Sequence, residues 1–351
     1  MRTIAKMQIG FIIENWKEIE PNKSSTLTIM QECAKRGYDV SIFYPQNLTV
    51  RNNVVYGFIK TFKHIDKVPE NIVTFYKKVQ FEEKMLPLHS FDAIFIRRDP
   101  PINSIVFNFL DSIKHETFIM NDVDGIRKAN NKLYTTTFHD PENLFLPETH
   151  VSKNKEYLKR VIAESEKSKM ILKPLDGSGG KGVIVLEKRA ESNISSLLDF
   201  YIDNSNNYVI LQEFIEDAQK GDIRVLMLNG KPIGAYNRVP ADGDIRANIQ
   251  AGGTAHKYTL SESQKAVCRK IGPKLVEDGL YFVGVDLIGD KILEINVLNP
   301  GGITNINKLN KVKLQKDVVD FIEEKIHELK EHQQALSYRL NRKTVKKEVE
   351  N

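Results

Sequence analysis

The stretch ILKPLDGSGGKGVIVLEK, residues 171–188, decides the fold, because the glycine run 177–182 inside it matches the pattern G-x-G-x-x-G. A dinucleotide-binding loop of this pattern needs a strand before it and a helix after it, since the helix N-terminus receives the pyrophosphate. The strand KMILKPLD precedes this loop, but the β-branched run Val183–Leu186 follows it and is typical of a second strand. A Walker A loop is also excluded, because Val183 stands where Lys-Ser or Lys-Thr would have to come. The sequence therefore predicts a strand, a glycine loop and a second strand.

The glycine loop is suited to contact with phosphate groups. Four glycines in six positions leave no Cβ to block the approach of backbone N–H groups and permit positive φ. The alternative is a glycine-rich hairpin turn without a ligand. Lys173, between Leu172 and Pro174 in an otherwise apolar strand, favours an anion as its partner over solvent. We therefore predict a flap that closes over phosphates.

Length, composition and charge limit the classes of protein to which this chain can belong. The 351 residues, 41% hydrophobic and 28% charged, suit a folded chain of two or three domains. No apolar run approaches the roughly 18 residues of a membrane span, and residues 1–13 lack a signal-type cleavage site, so we expect a cytoplasmic protein without a membrane partner. The net charge of +5 is too small to predict nucleic-acid binding. The two cysteines are far apart and have no metal-ligand spacing, and Cys33 is expected to be a buried helix residue.

The first third of the chain alternates strands with helices. Strands are predicted in MQIGFII (7–13), YDVSIFYP, FDAIFIRR and ETFIMND, and one helix is predicted over Ser24–Gly37 with a serine N-cap and a terminal glycine. This alternation predicts βαβ units and a mainly parallel sheet, which binds ligands at the carboxyl ends of its strands. Arg97 directly follows the strand FDAIFI and is therefore a candidate ligand contact.

The pattern of predicted elements changes from about Asn130. LPETHVSKN (146–154) reads as a loop that leads into the charged helix YLKRVIAESEK. Three hairpin-like pairs are predicted around it: KMILKPLD with GVIVLEK, DIRVLMLNG with KPIGAYNRVP, and YFVGVDLI with KILEINVLN. Antiparallel pairs after a parallel sheet indicate an α+β region. From Lys311 the chain reads as one amphipathic helix that runs into a basic tail, residues 339–347, which we interpret as a solvated helix end.

The last hairpin carries candidate metal ligands. Period-two alternation places Glu294 and Asn296 on one face of a strand. A three-residue loop would set Asp286 opposite Glu294 on that face, whereas a two-residue turn would put it on the other face. Facing acids repel unless a cation lies between them, and hard oxygen ligands without His or Cys suit Mg²⁺ held together with nucleotide phosphates. The alternative is three polar residues on a solvated sheet face.

Arginines lie between the glycine loop and this hairpin. Arg224 opens one strand, Arg238 precedes Val-Pro, and Arg246 lies beside Asn248 and a second glycine cluster. Any one of them could be a surface residue. Together they provide the cations that a site needs to stabilise charge on a transferring phosphoryl group.

Several motifs, in order along the chain, resemble the ATP-grasp fold and, within it, bacterial glutathione synthetases. They are Arg97–Pro101, Asn130–Tyr134, Pro147–Thr149, Lys173–Gly180, Gln212–Ile215, Gly221–Arg224, Arg246–Gly253 and Val285–Val297. The resemblance covers the chain to about residue 325. It implies an N-terminal parallel-sheet, Rossmann-like pre-ATP-grasp domain (1–129) and an ATP-grasp domain (130–326) with a lid (130–207) and a catalytic part (208–326). A charged helix and tail (327–351) would follow.

The resemblance implies an ATP-dependent ligase that joins γ-glutamylcysteine to glycine through an acyl phosphate. The phosphates of ATP would be contacted by Lys132, Lys173 and the loop residues Gly177, Ser178, Gly179 and Gly180. Gln212 would also bind ATP, and the adenine would be framed by Glu213, Phe214 and Ile215. The ribose would be contacted by Asp222. Mg²⁺, for which Mn²⁺ could substitute, would be held by Asp286, Glu294 and Asn296. Arg224, Arg246 and Asn248 would act on the reacting groups, and Arg97 would contact the substrate. Small molecules are the implied partners, and the family is typically oligomeric.

One stretch departs from the family pattern. After Val297 the family usually continues Thr-Ser-Pro-Thr with an arginine soon after, whereas this chain continues Leu298-Asn-Pro-Gly-Gly-Ile-Thr304 without an arginine. That stretch resembles D-alanine–D-alanine ligases. Asn299, Gly301 and Gly302 are therefore expected at the substrate, where the glycines offer backbone N–H groups. Two alternatives remain: a carboxylate–amine ligase for another dipeptide or amino acid, and a non-catalytic ATP-binding protein.

Overall fold

The computed structural model describes residues 6–175, 182–189, 191–241 and 252–349. It divides into two compact units, Met1–Val123 with Val312–Asn351, and Asp124–Lys311. The domain expected to end at residue 326 thus differs from the compact unit, which ends at Lys311. No helix among the described residues has the length and apolar character needed to cross a bilayer.

The described residues form β-strands and α-helices with the following bounds. The strands are β1 (Gln8–Ile12), β2 (Asp39–Phe43), β3 (Leu48–Arg51), β4 (Val54–Phe62), β5 (Phe81–Pro87), β6 (Ala93–Ile96), β7 (Phe118–Met120), β8 (Thr149–Ser152), β9 (Lys169–Pro174), β10 (Ile184–Glu187), β11 (Val209–Glu213), β12 (Asp222–Leu228), β13 (Lys231–Val239), β14 (Thr254–Lys257), β15 (Phe282–Ile288) and β16 (Lys291–Asn296). The α-helices are α1 (Ser25–Lys35), α2 (Ile72–Lys78), α3 (Ser104–Asp111), α4 (Val123–Ala129), α5 (Lys155–Glu164), α6 (Glu191–Ile202), α7 (Glu262–Glu277), α8 (Ile303–Asn310) and α9 (Leu314–Val349).

The sheet of the first unit combines parallel and antiparallel strands. β2, β1, β6 and β7 are parallel neighbours, as the βαβ pattern predicted. β4 pairs antiparallel with β2, and it also pairs antiparallel with β3 and with β5. The sequence did not predict this antiparallel extension. The β3–β4 turn is Asn52-Asn53, and both asparagines have positive φ, as a tight hairpin turn requires.

Helices α1 and α9 pack against each other in the first unit. As predicted, the Ser24 side chain accepts from the N–H of Leu27 to cap α1, Gly37 follows the helix at φ +81°, and Cys33 is buried. Arg36 pairs with Asp320 on α9. This packing places the residues from Val312 onward with the first unit rather than with the second.

Within the part of the second unit that the structure describes, there are two antiparallel sheets. The first has the order β10-β9-β11-β8, and its core packs on α5 and α6 through Leu158, Leu172 and Leu198. LPETHVSKN was predicted as a loop, and this prediction is wrong for Thr149–Ser152, which form β8 and pair with β11. The second sheet has the order β14-β13-β12-β15-β16 and confirms both predicted hairpins, β12–β13 and β15–β16.

Candidate active site

The glycine loop connects two antiparallel strands. β9 pairs with β10, with Leu172 opposite Ile184, so the two predicted strands on either side of the glycine run are confirmed, and the element that follows the run is a strand rather than a dinucleotide-binding helix. Gly182 ends the loop at φ +71°, and its carbonyl accepts a 2.9 Å hydrogen bond from the Tyr201 hydroxyl on α6. Other predicted site residues lie outside the described residues, namely Gly177, Ser178, Gly179, Gly180, Arg246 and Asn248.

Lys173 is a buried cation on β9. Its side chain reaches across to β11, where Nζ donates to Oε1 of Gln212 at 2.8 Å, and the Gln212 amide nitrogen donates to Oγ1 of Thr149 at 2.8 Å. Burial lowers the pKa of Lys173 to about 8; the negative charge of Glu294 raises it and the positive charge of Lys132 lowers it further. A desolvated ammonium beside a neutral amide would gain from a nearby anion, which is the setting expected of a phosphate contact.

Lys132 lies close to this lysine. It opens the 3₁₀ helix Lys132–Thr137, which packs against β16, and its N–H donates to the carbonyl of Leu175 at 3.4 Å. The side chain of Asn131 caps the 3₁₀ helix by accepting from the N–H of Leu133. Two of the predicted phosphate contacts, Lys132 and Lys173, are therefore neighbours within the second unit.

Glu213 is the last residue of β11, and Phe214 and Ile215 follow it. The Glu213 carboxylate accepts from the N–H of Glu148 at 3.3 Å and lies 3.6 Å from Nζ of Lys167. Phe214 is buried, with Nζ of Lys169 at 5.6 Å from its ring centroid, and Ile215 precedes a 3₁₀ helix, Glu216–Lys220. This cluster combines an apolar ring with backbone groups at a strand end, and the framing of adenine by these residues stays a prediction.

A four-residue charge cluster crosses the second sheet of this unit. The register sets Asp222 opposite Arg238 and Arg224 opposite Asp286 on strands β13, β12 and β15. Arg224 binds Asp286 with Nε and with Nη2, the latter at 2.9 Å from Oδ2. Nη2 of Arg238 lies 2.7 Å from Oδ2 of Asp222 and 2.9 Å from Oδ2 of Asp286. Asp286 thus accepts from both arginines.

The two carboxylates of the cluster have pKa values shifted in opposite directions. Burial alone would raise the pKa of Asp286, but Arg224 and Arg238 hold it at about 2. Burial and the neighbouring charge of Asp286 raise the pKa of Asp222, against the effect of Arg238. Because the two arginines are balanced by two carboxylates, loss of either acid leaves a buried charge without compensation.

The β15–β16 hairpin sets Asp286 opposite Glu294, as expected for a three-residue loop, although its turn has only two residues. The turn has two residues, Gly289 and Asp290, but a bulge at Leu293 shifts the register, so that Asp286 still faces Glu294. The predicted pairing of the two acids is confirmed. The three-residue loop offered to explain it is wrong.

These residues fit a hard cation. Nδ2 of Asn296 lies 3.3 Å from Oδ2 of Asp286, so two carboxylates and an amide lie together on neighbouring strands. Within the described parts of the chain, no group of three or more His, Cys, Asp or Glu residues is arranged around a metal position. The mixed set of Asp286, Glu294 and Asn296 suits Mg²⁺ shared with phosphate oxygens better than a closed protein site.

The stretch after β16 adjoins the charge cluster. The carbonyl of Gly301 accepts from Nη1 of Arg224 at 3.3 Å. Gly302 has φ +132°, and a Cβ there would lie 3.0 Å from the Tyr236 ring, so the backbone requires glycine at this position. Gly301 and Gly302 therefore lie beside Arg224, just before the first residue of α8, and Asn299 lies two residues before Gly301 in the same stretch.

Arg97 belongs to the first unit. It follows β6, is 3% exposed, and donates from Nε to Oγ1 of Thr26 at 3.0 Å, with the Phe95 ring 5.1 Å from its guanidinium carbon. Burial lowers the pKa of Arg97, and the charge of Asp99 raises it. This confirms the predicted location at the carboxyl end of a parallel strand.

Arg238 is the functional candidate that sequence reasoning passed over. The sequence grouped it with two other arginines suited to a phosphoryl group but indicated no contact of its own, whereas the structure gives it contacts to both Asp222 and Asp286. Its position opposite Asp222 in the β12–β13 hairpin was the available signal. Asp222 itself was expected at the ribose, and its carboxylate is bonded to Arg238 in this structure.

Solved structures share this architecture. A Chryseobacterium gregarium RiPP-associated ATP-grasp ligase matches with a TM-score of 0.61 at 15% identity, covering 91% of this chain and 97% of that one. The D-cycloserine synthetase DcsG matches with a TM-score of 0.62 at 15% identity, covering 92% and 99%. The protein therefore has the ATP-grasp fold, preceded by an N-terminal α/β domain.

The family follows from sequence. Residues 7–127 match the N-terminal domain of prokaryotic glutathione synthetase, and residues 131–311 match its ATP-grasp domain. The glutathione synthetase of Gloeobacter violaceus is 34% identical over 328 residues, which cover 91% of this chain and 97% of the relative. That of Agrobacterium fabrum is 34% identical over 304 residues, covering 86% and 91%. The chain belongs to the prokaryotic glutathione synthetase family and is an ATP-dependent ligase.

Proposed function

We propose that the protein forms the peptide bond between the cysteinyl carboxylate of γ-glutamylcysteine and the amine of glycine, with ATP as the phosphoryl donor. The observation that carries this proposal is the buried cluster of Asp222, Arg224, Arg238 and Asp286 in a chain of this family. Arginines aligned by carboxylates are suited to neutralise a phosphoryl group as its charge is redistributed.

The reaction proceeds in two steps. A carboxylate oxygen of the dipeptide attacks the γ-phosphorus, the bond to the β,γ-bridging oxygen breaks, and ADP leaves with that electron pair. The glycine nitrogen then attacks the acyl phosphate, loses a proton, and inorganic phosphate leaves. Lys173 and Arg224 offset the developing negative charge, and no covalent enzyme intermediate is required. Mg²⁺, or Mn²⁺ in its place, held by Asp286, Glu294 and Asn296, would supply further neutralisation of the phosphates.

The remaining assignments are part of this proposal. Lys132 contacts the phosphates, Gln212 and residues 213–215 line the adenine pocket, and Asp222 contacts the ribose. The glycine loop with Ser178 covers the phosphates, while Arg246 and Asn248, like Arg224, act on the reacting groups. From the family we also propose a homo-oligomer in the cytoplasm that takes small molecules, and neither nucleic acid nor membrane, as partners.

A related ligase with another amine acceptor is the second candidate. Gly301 and Gly302 adjoin Arg224, Asn299 precedes them in the same stretch, and Gly301 has open space where a Cβ would lie. A different side chain at this position would alter the space and the hydrogen bonds offered to the acceptor. The choice of amine is therefore the part of the function that this stretch controls.

Glycine-dependent turnover tests the function directly. With ATP, Mg²⁺ and γ-glutamylcysteine, we expect phosphate release to require glycine and the product to have the mass of glutathione. Release that depends on another amine would support the second candidate. Absence of ATP turnover with every dipeptide and amine tested would contradict a ligase.

Replacement of Arg97 by Ala is expected to raise the KM for the dipeptide about 10- to 100-fold, because a buried cation that pairs with a substrate carboxylate contributes a charge-assisted hydrogen bond. The KM for ATP should change less than about twofold. Steady-state kinetics with each substrate varied in turn gives both values. Arg98→Ala is the control, since the neighbouring Arg98 pairs with Glu14. An unchanged dipeptide KM in Arg97→Ala would remove this residue from the substrate site.

A further inference from the structure

Asp278 is a buried carboxylate that the mechanism above does not use. It follows the last turn of α7, and its side chain is 5% exposed. Three donors from three elements converge on it: the Tyr134 hydroxyl at 2.8 Å, Nζ of Lys128 at 2.8 Å and Nζ of Lys274 at 3.0 Å. Burial alone would raise the pKa of Asp278, but these donors hold it at about 2. The residue is therefore a fixed anion.

Two of the three donors flank Lys132 in the sequence. Lys128 lies on α4, before Lys132, and Tyr134 lies after it in the 3₁₀ helix. Helix α4 also approaches Asp278 through its backbone, since a Cβ on Gly125 would lie 2.0 Å from the Asp278 carbonyl oxygen. Asp278 therefore anchors the chain on both sides of Lys132.

The 3₁₀ helix presents two different faces. In a helix with three residues per turn, residues two apart point in different directions. Tyr134 is 3% exposed, with its ring 5.4 Å from that of Phe138 and 5.8 Å from Nζ of Lys274. Lys132 lies near Lys173, whose pKa its charge lowers. One face of the helix is thus anchored to Asp278 while another contributes to the phosphate end of the candidate site.

We propose that Asp278 is a positioning residue for ATP binding: by accepting from Tyr134 and Lys128, it fixes the 3₁₀ helix so that the Lys132 ammonium meets the nucleotide phosphates. This inference rests on the proposed function, because it requires Lys132 to contact ATP. A lysine on an anchored backbone loses less conformational freedom when it binds a phosphate, so the anchor contributes to ATP affinity without touching ATP.

Tyr134→Phe tests the anchor by removing only the hydroxyl. We expect KM and Kd for ATP to rise roughly tenfold, because the backbone around Lys132 would then be ordered only when ATP binds, at about the conformational cost of fixing one residue, while kcat and the KM values for the other substrates stay within about twofold. Tyr38→Phe is the matched control, since it removes a tyrosine hydroxyl that donates to Glu323 in the other unit. Its ATP affinity should be unchanged. Equal losses of affinity in the two variants would overturn the proposal.

The double variant with Lys132→Met separates the possible failures. If the anchor acts through Lys132, Tyr134→Phe should cause no further loss of ATP affinity in the Lys132→Met background. A full additional tenfold loss there would overturn the positioning role. Unchanged affinity in Lys132→Met alone would instead refute the phosphate contact in the proposed function. A Lys132→Met loss with normal affinity in Tyr134→Phe would refute the anchor alone.

Lys128→Met provides a milder variant, because the Lys128 side chain is 61% exposed and its loss should not disturb the core. We expect ATP affinity to fall about threefold, less than for Tyr134→Phe, since Asp278 keeps its two other donors. Lys159→Met is the control, an exposed lysine on α5 paired with Glu156. Equal ATP affinity in the two lysine variants would remove Lys128 from the anchor.

Discussion

Asp286→Asn is expected to lower kcat by about 10³-fold or more, as for the loss of a group that organises charge at a transferring phosphoryl group. The carboxylate is both a proposed ligand of Mg²⁺ and the common acceptor of Arg224 and Arg238. Asparagine keeps the size but removes the charge, so the metal and the arginines lose their shared partner. Turnover at saturating substrates measures this effect, and normal turnover would remove Asp286 from the active site.

The same variant should lose stability, which separates it from a variant of the acid opposite. Two buried guanidinium groups would be left with Asp222 as their remaining carboxylate in the cluster, a cost of about 3–5 kcal/mol in the free energy of unfolding. Glu294→Gln should reduce turnover while changing stability little, because Glu294 is only partly buried and is not bonded to this arginine pair. Urea unfolding of the two variants compares the effects. Equal losses of stability would contradict the distinction drawn between the two acids.

The last hairpin shows what alternation can and cannot predict. Alternation correctly grouped Glu294 with Asn296, but it left open whether Asp286 shares their face, which was made to depend on the length of the turn. Turn length was the wrong guide, because the bulge at Leu293 shifts the register after a two-residue turn. A bulge leaves little trace in one sequence, since the extra residue is an ordinary apolar one. The grouping of Glu294 with Asn296 was thus predictable from alternation, whereas the turn and the bulge that bring Asp286 opposite Glu294 were not.

The arginines show a similar limit. The sequence identified Arg224 and Arg238 as cations near the site, but their carboxylate partners depend on the register between β13, β12 and β15. Arg224 and Asp286 are 62 positions apart, so no local pattern links them. The antiparallel β3–β5 extension and β8 were missed for a related reason: short strands are fixed by their partners more than by their own composition.

The ATP dependence of the reaction should change with pH because of Lys173. With the other substrates saturating, kcat/KM for ATP is expected to fall about tenfold per pH unit above pH 8, close to 100-fold by about pH 10. The reason is that burial lowers the pKa of Lys173 to about 8, and the neutral amine loses its attraction for phosphate. At saturating ATP, kcat should hold to higher pH, since bound phosphates raise the pKa again.

Two variants test whether Lys173 is the titrating group. Lys173→Arg should keep a cation and lose the fall near pH 8, whereas Lys173→Met should lower kcat/KM for ATP about 10²- to 10³-fold at pH 7 and leave no such fall. A fall near pH 8 that persists in Lys173→Met would assign the titration to another group.

The free energy of unfolding should rise with pH over the range in which kcat/KM for ATP falls. The folded pKa of Lys173, about 8, is below its ordinary value of 10.5, so between these values the unfolded chain binds more protons than the folded one. The contribution of Lys173 to the free energy of unfolding therefore rises from about pH 8 to about pH 10.5, the range in which ATP binding weakens. Urea unfolding at these pH values should show the rise in the native protein and its absence in Lys173→Met. Burial of the charged Lys173 therefore costs stability, and phosphate binding offsets this cost. Such an arrangement is expected of a cation whose role is to bind a ligand rather than to stabilise the fold.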